Sequence, residues 1–157
     1  MRDFTQGRLG HTGDQLWKVE HPPVYTLGQA GKWEHVLSPG PIPIVQSDRG
    51  GQVTYHGPGQ LIGYPIINLN NYKKSVTWFM RSLEDIIIGT LRTLQIASSR
   101  KEGLPGVWIE DDKICAMGVR IAKWVTMHGF ALNIDPDMKY FDGMIPCGIK
   151  DYGVTTI

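Results

Sequence analysis

Cys147 is the residue of this chain best suited to covalent chemistry, because it stands between Pro146 and Gly148. These neighbours predict a rigid turn, and a cysteine in a turn does not serve to fill an apolar core. A thiolate in such a position can act as a nucleophile and form a covalent intermediate. An unreactive free thiol is the alternative, and the turn alone does not distinguish the two. Cys115 differs, since it lies in an apolar segment, residues 114 to 117, and is predicted to be a core residue.

Three further side chains have the chemistry to assist a nucleophile. Lys113 directly follows Asp111 and Asp112. It is either a solvated turn lysine or, where it faces a cleft and is partly desolvated, a base. His56 and His128 are each suited to pair with a cysteine, to hydrogen-bond a substrate, or to serve a purely structural role. Sequence periodicity leaves these alternatives open.

The glycine-rich segment, residues 49 to 60, has the highest density of special residues in the chain. Gly50 and Gly51 permit close approach of a ligand to the backbone, and a second break, Gly57-Pro58-Gly59, soon interrupts regular structure again. A hairpin with glycine-rich turns is the simpler interpretation. The segment also carries a cation, hydroxyls, an imidazole and an amide, which suits a binding cradle, and these come from Arg49, Thr54, Tyr55, His56 and Gln60. Such a cradle would be formed by Arg49, Gly50, Gly51, Gln52, Val53, Thr54, Tyr55 and His56.

The composition restricts the class of protein. With 157 residues, 41% of them hydrophobic and 20% charged, the chain resembles a single soluble domain. A formal net charge of +1 gives no electrostatic argument for binding nucleic acid or a membrane surface. No apolar run has the length of a membrane span or a signal peptide. Two cysteines form no disulfide framework, so we expect a cytoplasmic protein. There is no CxxC or HExxH motif to indicate a metal site.

Hydrophobic periodicity predicts an α+β fold with a largely antiparallel or mixed sheet. A helix is expected from about residue 75 to 95, with Ser75 as its N-cap. Its buried face should consist of Val76, Phe79, Met80, Leu83, Ile86, Ile87, Leu91 and Leu94. Residues 97 to 105 are predicted to be a charged loop, and Asp111-Asp112 a hairpin turn. One helical turn is expected within residues 32–37, and strands at 16–20, 24–28, 42–46, 52–56, 61–69, 106–110, 113–121 and 124–134.

Several segments together resemble the lipoyl(octanoyl) transferases of lipoate biosynthesis. The strongest likeness is the glycine-rich segment itself, RGGQVTYHGPGQ, followed by Tyr64. Similar segments follow the family's order along nearly the whole chain: HPPVYTLG at 21–28, KICAMGVR at 113–120, HGFALN at 128–133 and IPCG at 145–148. This shared order makes chance a poor explanation.

The resemblance implies that Cys147 is an acyl-thioester nucleophile and that Lys113 is its dyad partner. It implies a fold of the biotin/lipoate protein ligase type, an α/β sandwich with mixed, largely antiparallel sheets flanked by helices. No metal, nucleotide or other cofactor is implied. The acyl pocket would be lined by residues 49 to 56 and by two strand segments: Ala116, Met117, Gly118, Gly129, Phe130 and Ala131.

The resemblance also implies partners. Octanoyl-acyl carrier protein would be the donor, and the lipoyl domains of 2-oxoacid dehydrogenases and the glycine cleavage H protein would be the acceptors. A monomeric cytoplasmic enzyme is expected, with residues 1–157 as a single catalytic domain. Relative to the family, we expect the chain to lack a strand before Met1 and a helical region after Ile157.

Glycines are expected to shape the acyl site. Gly118 and Gly129 would remove side-chain bulk where an acyl chain lies. Main-chain N–H groups near Gly51 or Gly118 are candidates for an oxyanion hole. The sequence does not choose between these two positions.

Three other functions are compatible with parts of the sequence. An ATP-dependent lipoate or biotin ligase of the same fold would need an adenylate site and no nucleophilic cysteine, so Cys147 in its turn disfavours it. A non-enzymatic metal-binding module would use Cys115, Cys147, His56 and His128, whose spacing matches no common zinc pattern. A catalytically inactive acyl-binding subunit is the third.

Overall fold

The computed structural model describes residues 1–8, 12–145 and 152–157. Cys147, together with Pro146 and Gly148, lies outside the described residues. The elements of the described chain are helices α1 (Arg2–Gln6) and α2 (Val76–Thr93), and strands β1 (Gln15–Val19), β2 (Val24–Leu27), β3 (Ile44–Gln46), β4 (Val53–His56), β5 (Gln60–Ile66), β6 (Ser99–Lys101), β7 (Leu104–Ile109), β8 (Asp112–Ala122), β9 (Val125–Asn133) and β10 (Gly153–Val154). Among these residues, no helix has both the length and the hydropathy needed to cross a membrane.

Two sheets form the body of the described chain. The larger has seven strands in the order β1-β5-β9-β8-β7-β6, with β10 paired to β8. Only the β10 pairing is parallel in this sheet. The smaller has the order β3-β2-β4, with β3 parallel and β4 antiparallel to β2. The predicted α+β fold with mixed, largely antiparallel sheets is confirmed.

The smaller sheet has one face in a core and one face toward the larger sheet. Its core face packs with the residues after β9, in a cluster of Tyr25, Val53, Tyr55, Phe141 and Met144. Because side chains alternate along a strand, Thr26, Thr54 and His56 project from the other face and line a cavity between the sheets.

Helix α2 covers the face of the larger sheet that is turned away from this cavity. The Ser75 hydroxyl accepts a hydrogen bond from the Trp78 N–H at 3.2 Å, which confirms the predicted N-cap. The predicted buried stripe is too wide, however, since Val76, Ile86 and Leu94 are 49%, 61% and 55% exposed. A helix lying on one sheet buries only the side chains along its line of contact, here the apolar Phe79, Leu83, Ile87 and Leu91 together with Glu84.

The prediction of a charged loop at residues 97 to 105 is wrong, because β6 and the beginning of β7 lie there. Ion pairs allow these charged residues to enter a sheet. Arg100 Nε donates to the buried carboxylate of Glu84 at 2.9 Å, and Lys101 Nζ donates to Asp111 at 2.6 Å. The following hairpin turns one residue earlier than predicted, since Asp112 already pairs with Ile109.

Other sequence predictions agree with the structure. The expected turn within residues 32–37 is a 3-10 helix at Trp33–His35. The remaining predicted strands are present with small shifts at their ends. Cys115 is fully buried in the core between α2 and the larger sheet, as predicted.

Candidate active site

A cavity of about 590 Å³ lies between the two sheets. The smaller sheet contributes Val24 and Thr26 from β2 and Thr54 and His56 from β4. The larger sheet contributes residues from β8 and β9 that are paired across these strands: Ala116 with Ala131, Met117 with Phe130, and Gly118 with Gly129. The cavity therefore joins segments that are far apart in the chain.

Most of the residues expected at a substrate site line this cavity. They are Arg49, Gly51, Gln52, Val53, Thr54, His56, Lys113, Ala116, Met117, Gly118, Gly129, Phe130 and Ala131. Gly50 and Tyr55 are outside the lining. The Tyr55 ring is on the core face of β4, stacked on Tyr140 at 5.0 Å between ring centroids, and burial raises its pKa to about 12. The Gly50 N–H instead donates to the Val119 carbonyl at 3.0 Å.

Lys113 is a buried lysine, with 8% of its surface exposed, so the interpretation as a solvated turn lysine does not hold. Its Nζ lies 4.7 Å from the centroid of the Trp108 ring, within the range of a cation–π contact. The stem of Lys113 passes close to Gly106, where a Cβ would be in ordinary contact with Lys113 Cε at 3.4 Å but would clash with the Cys115 carbonyl oxygen at 2.6 Å. Its position relative to Cys147 falls outside the described residues.

Arg49 joins the glycine-rich segment to the smaller sheet. Its Nη2 donates to the carbonyl oxygens of Thr26 at 2.7 Å and Gln52 at 2.8 Å, and its Nη1 donates to Gly50 O at 3.0 Å. The planar guanidinium can reach several carbonyls at once, which an ammonium cannot do. With the bond from Gly50 to Val119, this segment therefore connects β2 of the smaller sheet with β8 of the larger one.

Gly118 and Gly129 face backbone rather than open space. A Cβ at Gly118 would lie 2.7 Å from the carbonyl oxygen of Gly50. A Cβ at Gly129 would lie 2.2 Å from the carbonyl oxygen of Gly63. The expectation that their missing side chains leave room for an acyl chain is thus not supported, since neighbouring main chain occupies that room. Both glycines line the cavity through their own backbone.

A group of aromatic and charged side chains from several elements also lines the cavity. His21 Nε2 lies 2.7 Å from the Tyr64 hydroxyl, and burial lowers the pKa of His21. His128 Nε2 lies 2.8 Å from a carboxylate oxygen of Asp48, whose other oxygen accepts from Arg120. His128 has a φ of +60°, which is unusual for a residue with a Cβ.

Sequence reasoning did not assign His21, Tyr64 and Asp48 to the site, although all three line the cavity. A signal for two of them was present, since His21 begins the HPPVYTLG segment and Tyr64 follows the glycine-rich segment. Asp48 directly precedes that segment and carried no signal of its own.

The residues proposed for a metal-binding module do not assemble in the described chain. Groups of three or more potential metal ligands are absent from the described residues. Cys115 is buried among apolar side chains on the face of β8 away from the cavity, and burial raises the pKa of its thiol. His56 and His128, in contrast, both line the cavity.

Comparison with known proteins places this geometry in a family. Residues 2–157 match the lipoyl protein ligase A/B catalytic domain. The chain is 48% identical to an octanoyltransferase of Saccharophagus degradans over 157 residues, which is 100% of this chain and 73% of that protein. It is 49% identical to an octanoyltransferase of Xanthomonas campestris pv. campestris, again over 100% of this chain and 68% of that protein.

The fold is similar to that of lipoate-protein ligase A in its crystal structure with bound ATP. The TM-score is 0.81 with 14% sequence identity, over 99% of this chain and 68% of that one. At this identity the likeness concerns the fold alone, and it agrees with the ligase-type architecture expected from the sequence.

Proposed function

The chain belongs to the octanoyltransferases, within the family of lipoyl protein ligase A/B catalytic domains, and on this basis we propose that it moves octanoyl groups through a thioester on Cys147. The proposed donor is octanoyl-acyl carrier protein. The proposed acceptors are lysines of lipoyl domains, in 2-oxoacid dehydrogenases and in the glycine cleavage H protein. As an octanoyltransferase the protein is an acyltransferase that acts in protein lipoylation.

The observation that carries this proposal is a cavity with apolar walls and a buried lysine. Val24, Ile62, Ala116 and Ala131 are among the lining residues, and Lys113 lies at the junction with a smaller recess. An eight-carbon chain that leaves water gains about 0.8 kcal/mol per buried methylene, or about 5 kcal/mol before ordering costs. Such a cavity therefore favours a medium-length acyl group.

Two successive transfers account for the reaction. The Cys147 thiolate attacks the thioester carbonyl of the donor, a new carbon–sulfur bond forms, and the carrier thiolate leaves. The acceptor lysine amine then attacks the Cys147 thioester, loses a proton, and forms an amide as the Cys147 thiolate leaves. Because the acyl group arrives activated, no nucleotide is needed, and the two protein substrates need not bind together.

In this scheme Lys113 contributes most as the proton acceptor of the second transfer, a step that it must enter as the neutral amine. Lowering a thiol pKa from about 8.5 by about two units raises the thiolate fraction at pH 7 about 24-fold. The weaker nucleophilicity of that thiolate takes back about 8-fold, which leaves a gain of about threefold. The acceptor amine, with a pKa of about 10.4, is almost wholly protonated. A positioned base therefore offers the larger effect, about 10²–10⁴-fold.

Intact-mass spectrometry after exposure to octanoyl-acyl carrier protein, without ATP, tests the proposal. We expect one octanoyl adduct that disappears in Cys147→Ala and persists in the control Cys115→Ser, because Cys115 is buried away from the cavity. An adduct that survives Cys147→Ala, or one that forms only with ATP and free acid, contradicts the thioester route. Transfer from the isolated acyl-enzyme to a lipoyl domain completes the test.

A further inference from the structure

A chain of hydrogen bonds runs from His56 to the strand that carries Lys113. His56 Nδ1 lies 3.1 Å from Gln60 Oε1. Gln60 Nε2 donates across β5 and β9 to Asn133 Oδ1 at 2.9 Å. Asn133 Nδ2 donates to the carbonyl of Thr155 at 2.9 Å, and the Thr155 N–H donates to Lys113 O at 3.1 Å. Gln60 was expected to supply an amide to the binding cradle, whereas Asn133 was not predicted as a site residue, and both are buried.

Backbone carbonyls determine the direction of this chain, because a carbonyl oxygen only accepts hydrogen bonds. Asn133 must turn its NH₂ group to the Thr155 carbonyl, which leaves Oδ1 toward Gln60. Gln60 must turn its NH₂ group to Asn133 and to the Tyr55 carbonyl, at 3.2 Å, which leaves Oε1 toward the imidazole. Since that oxygen accepts, the nitrogen facing it, Nδ1 of His56, must carry the proton.

The surroundings of His56 keep its ring uncharged. Burial lowers its pKa to about 4, against the opposing effect of the Gln60 hydrogen bond, and Arg49, His21 and His128 lower it further. Near pH 7 the ring therefore has one proton, on Nδ1, and a lone pair on Nε2. The ring lines the cavity, and within the described part of the chain no residue hydrogen-bonds to Nε2.

We propose that Gln60 and Asn133 are positioning residues that hold His56 in the Nδ1–H tautomer, so that its Nε2 accepts a hydrogen bond from the amine of the acceptor lysine. This inference rests on the proposed function, which supplies that amine. To attack, the amine must direct its lone pair at the thioester carbonyl, and its N–H groups then need acceptors where the substrate has displaced water. Lys113 accepts the proton that the amine loses, and His56 Nε2 accepts a hydrogen bond from a second N–H of the same amine.

His56 orients this amine but does not deprotonate it. Its pKa of about 4 lies about six units below the value of about 10.4 for a free lysine, so a proton does not stay on the ring. The first transfer makes no demand for an acceptor at this position. The oxyanion that develops in the first transfer needs hydrogen-bond donors, and the leaving thiolate carries no N–H that needs an acceptor. Loss of the tautomer is therefore expected to slow the second transfer selectively.

Nitrogen NMR of protein labelled with ¹⁵N-histidine tests the tautomer without reference to activity. In the unmodified protein we expect His56 to show a protonated Nδ1 and an unprotonated Nε2, unchanged from about pH 8 to pH 6, since its pKa is about 4. A protonated Nε2 in the neutral ring overturns the proposal. This spectrum reports the tautomer whether or not an acyl-enzyme forms. A failure of the proposed function is therefore distinguishable from a failure of the tautomer assignment.

Gln60→Met tests the consequence, because it keeps the length of the side chain and removes the acceptor. We expect mixed tautomers at His56 and a fall of about tenfold in single-turnover transfer from the acyl-enzyme to the lysine, as for one lost hydrogen bond. Thioester formation should stay within about twofold. The matched control is Gln15→Met on β1, where, among the residues that the structure describes, the side chain accepts a surface hydrogen bond from Trp17 Nε1 alone. Equal slowing of both transfers, or mixed tautomers with unchanged transfer, overturns the proposal.

If Gln60→Met does not fold, Gln60→Glu tests whether His56 Nε2 acts as a hydrogen-bond acceptor in the second transfer. The carboxylate keeps an acceptor for Nδ1–H and adds a negative charge, so the pKa of His56 should rise toward neutrality. Below the new pKa the ring carries protons on both nitrogens and cannot accept from the amine. The transfer step should then gain an ionisation that matches the NMR titration of His56. A profile that stays like that of the unmodified protein, despite a raised pKa of His56, overturns the role of Nε2.

Discussion

Gly118→Ala should destabilise the protein, because the added methyl group meets main chain rather than a side chain that can move. An ideal Cβ at this position lies 2.7 Å from the carbonyl oxygen of Gly50, and the ordinary separation of such atoms is about 3.5 Å. The two segments must therefore move apart by about 0.8 Å. The neighbouring hydrogen bond from the Gly50 N–H to Val119 O, at 3.0 Å, would then lengthen.

The expected cost follows from these contacts. Overpacking of this kind costs about 1–3 kcal/mol, and weakening one hydrogen bond adds about 0.5–1.5 kcal/mol. Replacing a strand glycine returns about 0.5–1 kcal/mol of backbone entropy. The net loss is about 1–3 kcal/mol, which for a chain of this length lowers Tm by about 3–10 °C.

Gly89→Ala is the matched control, since it adds the same methyl group where nothing lies within 4 Å. Gly89 is in α2, so alanine should stabilise the protein by about 0.5–1 kcal/mol. Differential scanning calorimetry should therefore give shifts of opposite sign. Gly118→Ala should also slow thioester formation, because the displaced segment lines the cavity. If both variants raise Tm, the close approach at Gly118 does not constrain the fold.

Three further predictions concern the cavity walls. Lys113→Met keeps most of the buried stem but removes the amine, so single-turnover transfer to the acceptor should fall about 10²-fold or more, and thioester formation only several-fold. Equal losses in the two steps would contradict a main role of Lys113 in the second transfer. Arg49→Lys keeps the charge but loses the planar guanidinium that donates to Thr26 and Gln52, so denaturant unfolding should show a free energy of unfolding lower by about 2 kcal/mol or more. An unchanged unfolding midpoint would show that these hydrogen bonds do not stabilise the fold. His56 has a pKa of about 4 in the folded protein and about 6.5 in the unfolded chain, so the unfolded chain binds this proton first and the free energy of unfolding should fall as pH drops from about 6.5 toward 4. His56→Phe should flatten this slope, and a slope that persists in the variant would show that other groups cause it.

The elements of the fold were largely predictable because their signals are local. The helical spacing and Ser75 predicted α2, and alternation predicted most strands. Local signals failed to predict strand β6, where charged residues are neutralised by partners distant in the sequence. Arg100 lies in a strand because it pairs with Glu84, which is on a helix and 16 positions away.

The composition of the site was less predictable than the fold. The glycine-rich segment was recognisable, but its sequence does not say which face of β4 is turned to the cavity, because Tyr55 and His56 are both suited to a site. That choice depends on Tyr140, which stacks on Tyr55 from beyond β9. The burial of Lys113 likewise depends on Trp108, from the neighbouring strand. The partnership of Gln60 with Asn133 joins residues 73 positions apart, which no spacing rule anticipates.

The bridge from β2 to β8 through the glycine-rich segment has a consequence for the shape of the cavity. The gap between the two sheets is set by main-chain contacts, at Gly50 and Gly118, and by the Arg49 bonds to carbonyl oxygens. The width of the gap is thus a property of the backbone rather than of exchangeable side chains. The cavity is also lined by side chains such as Val24 and Ile62, which can be exchanged one at a time. The width of the gap therefore changes only when main chain moves, as expected in Gly118→Ala, whereas the cavity walls change with single side-chain substitutions that leave the main chain in place.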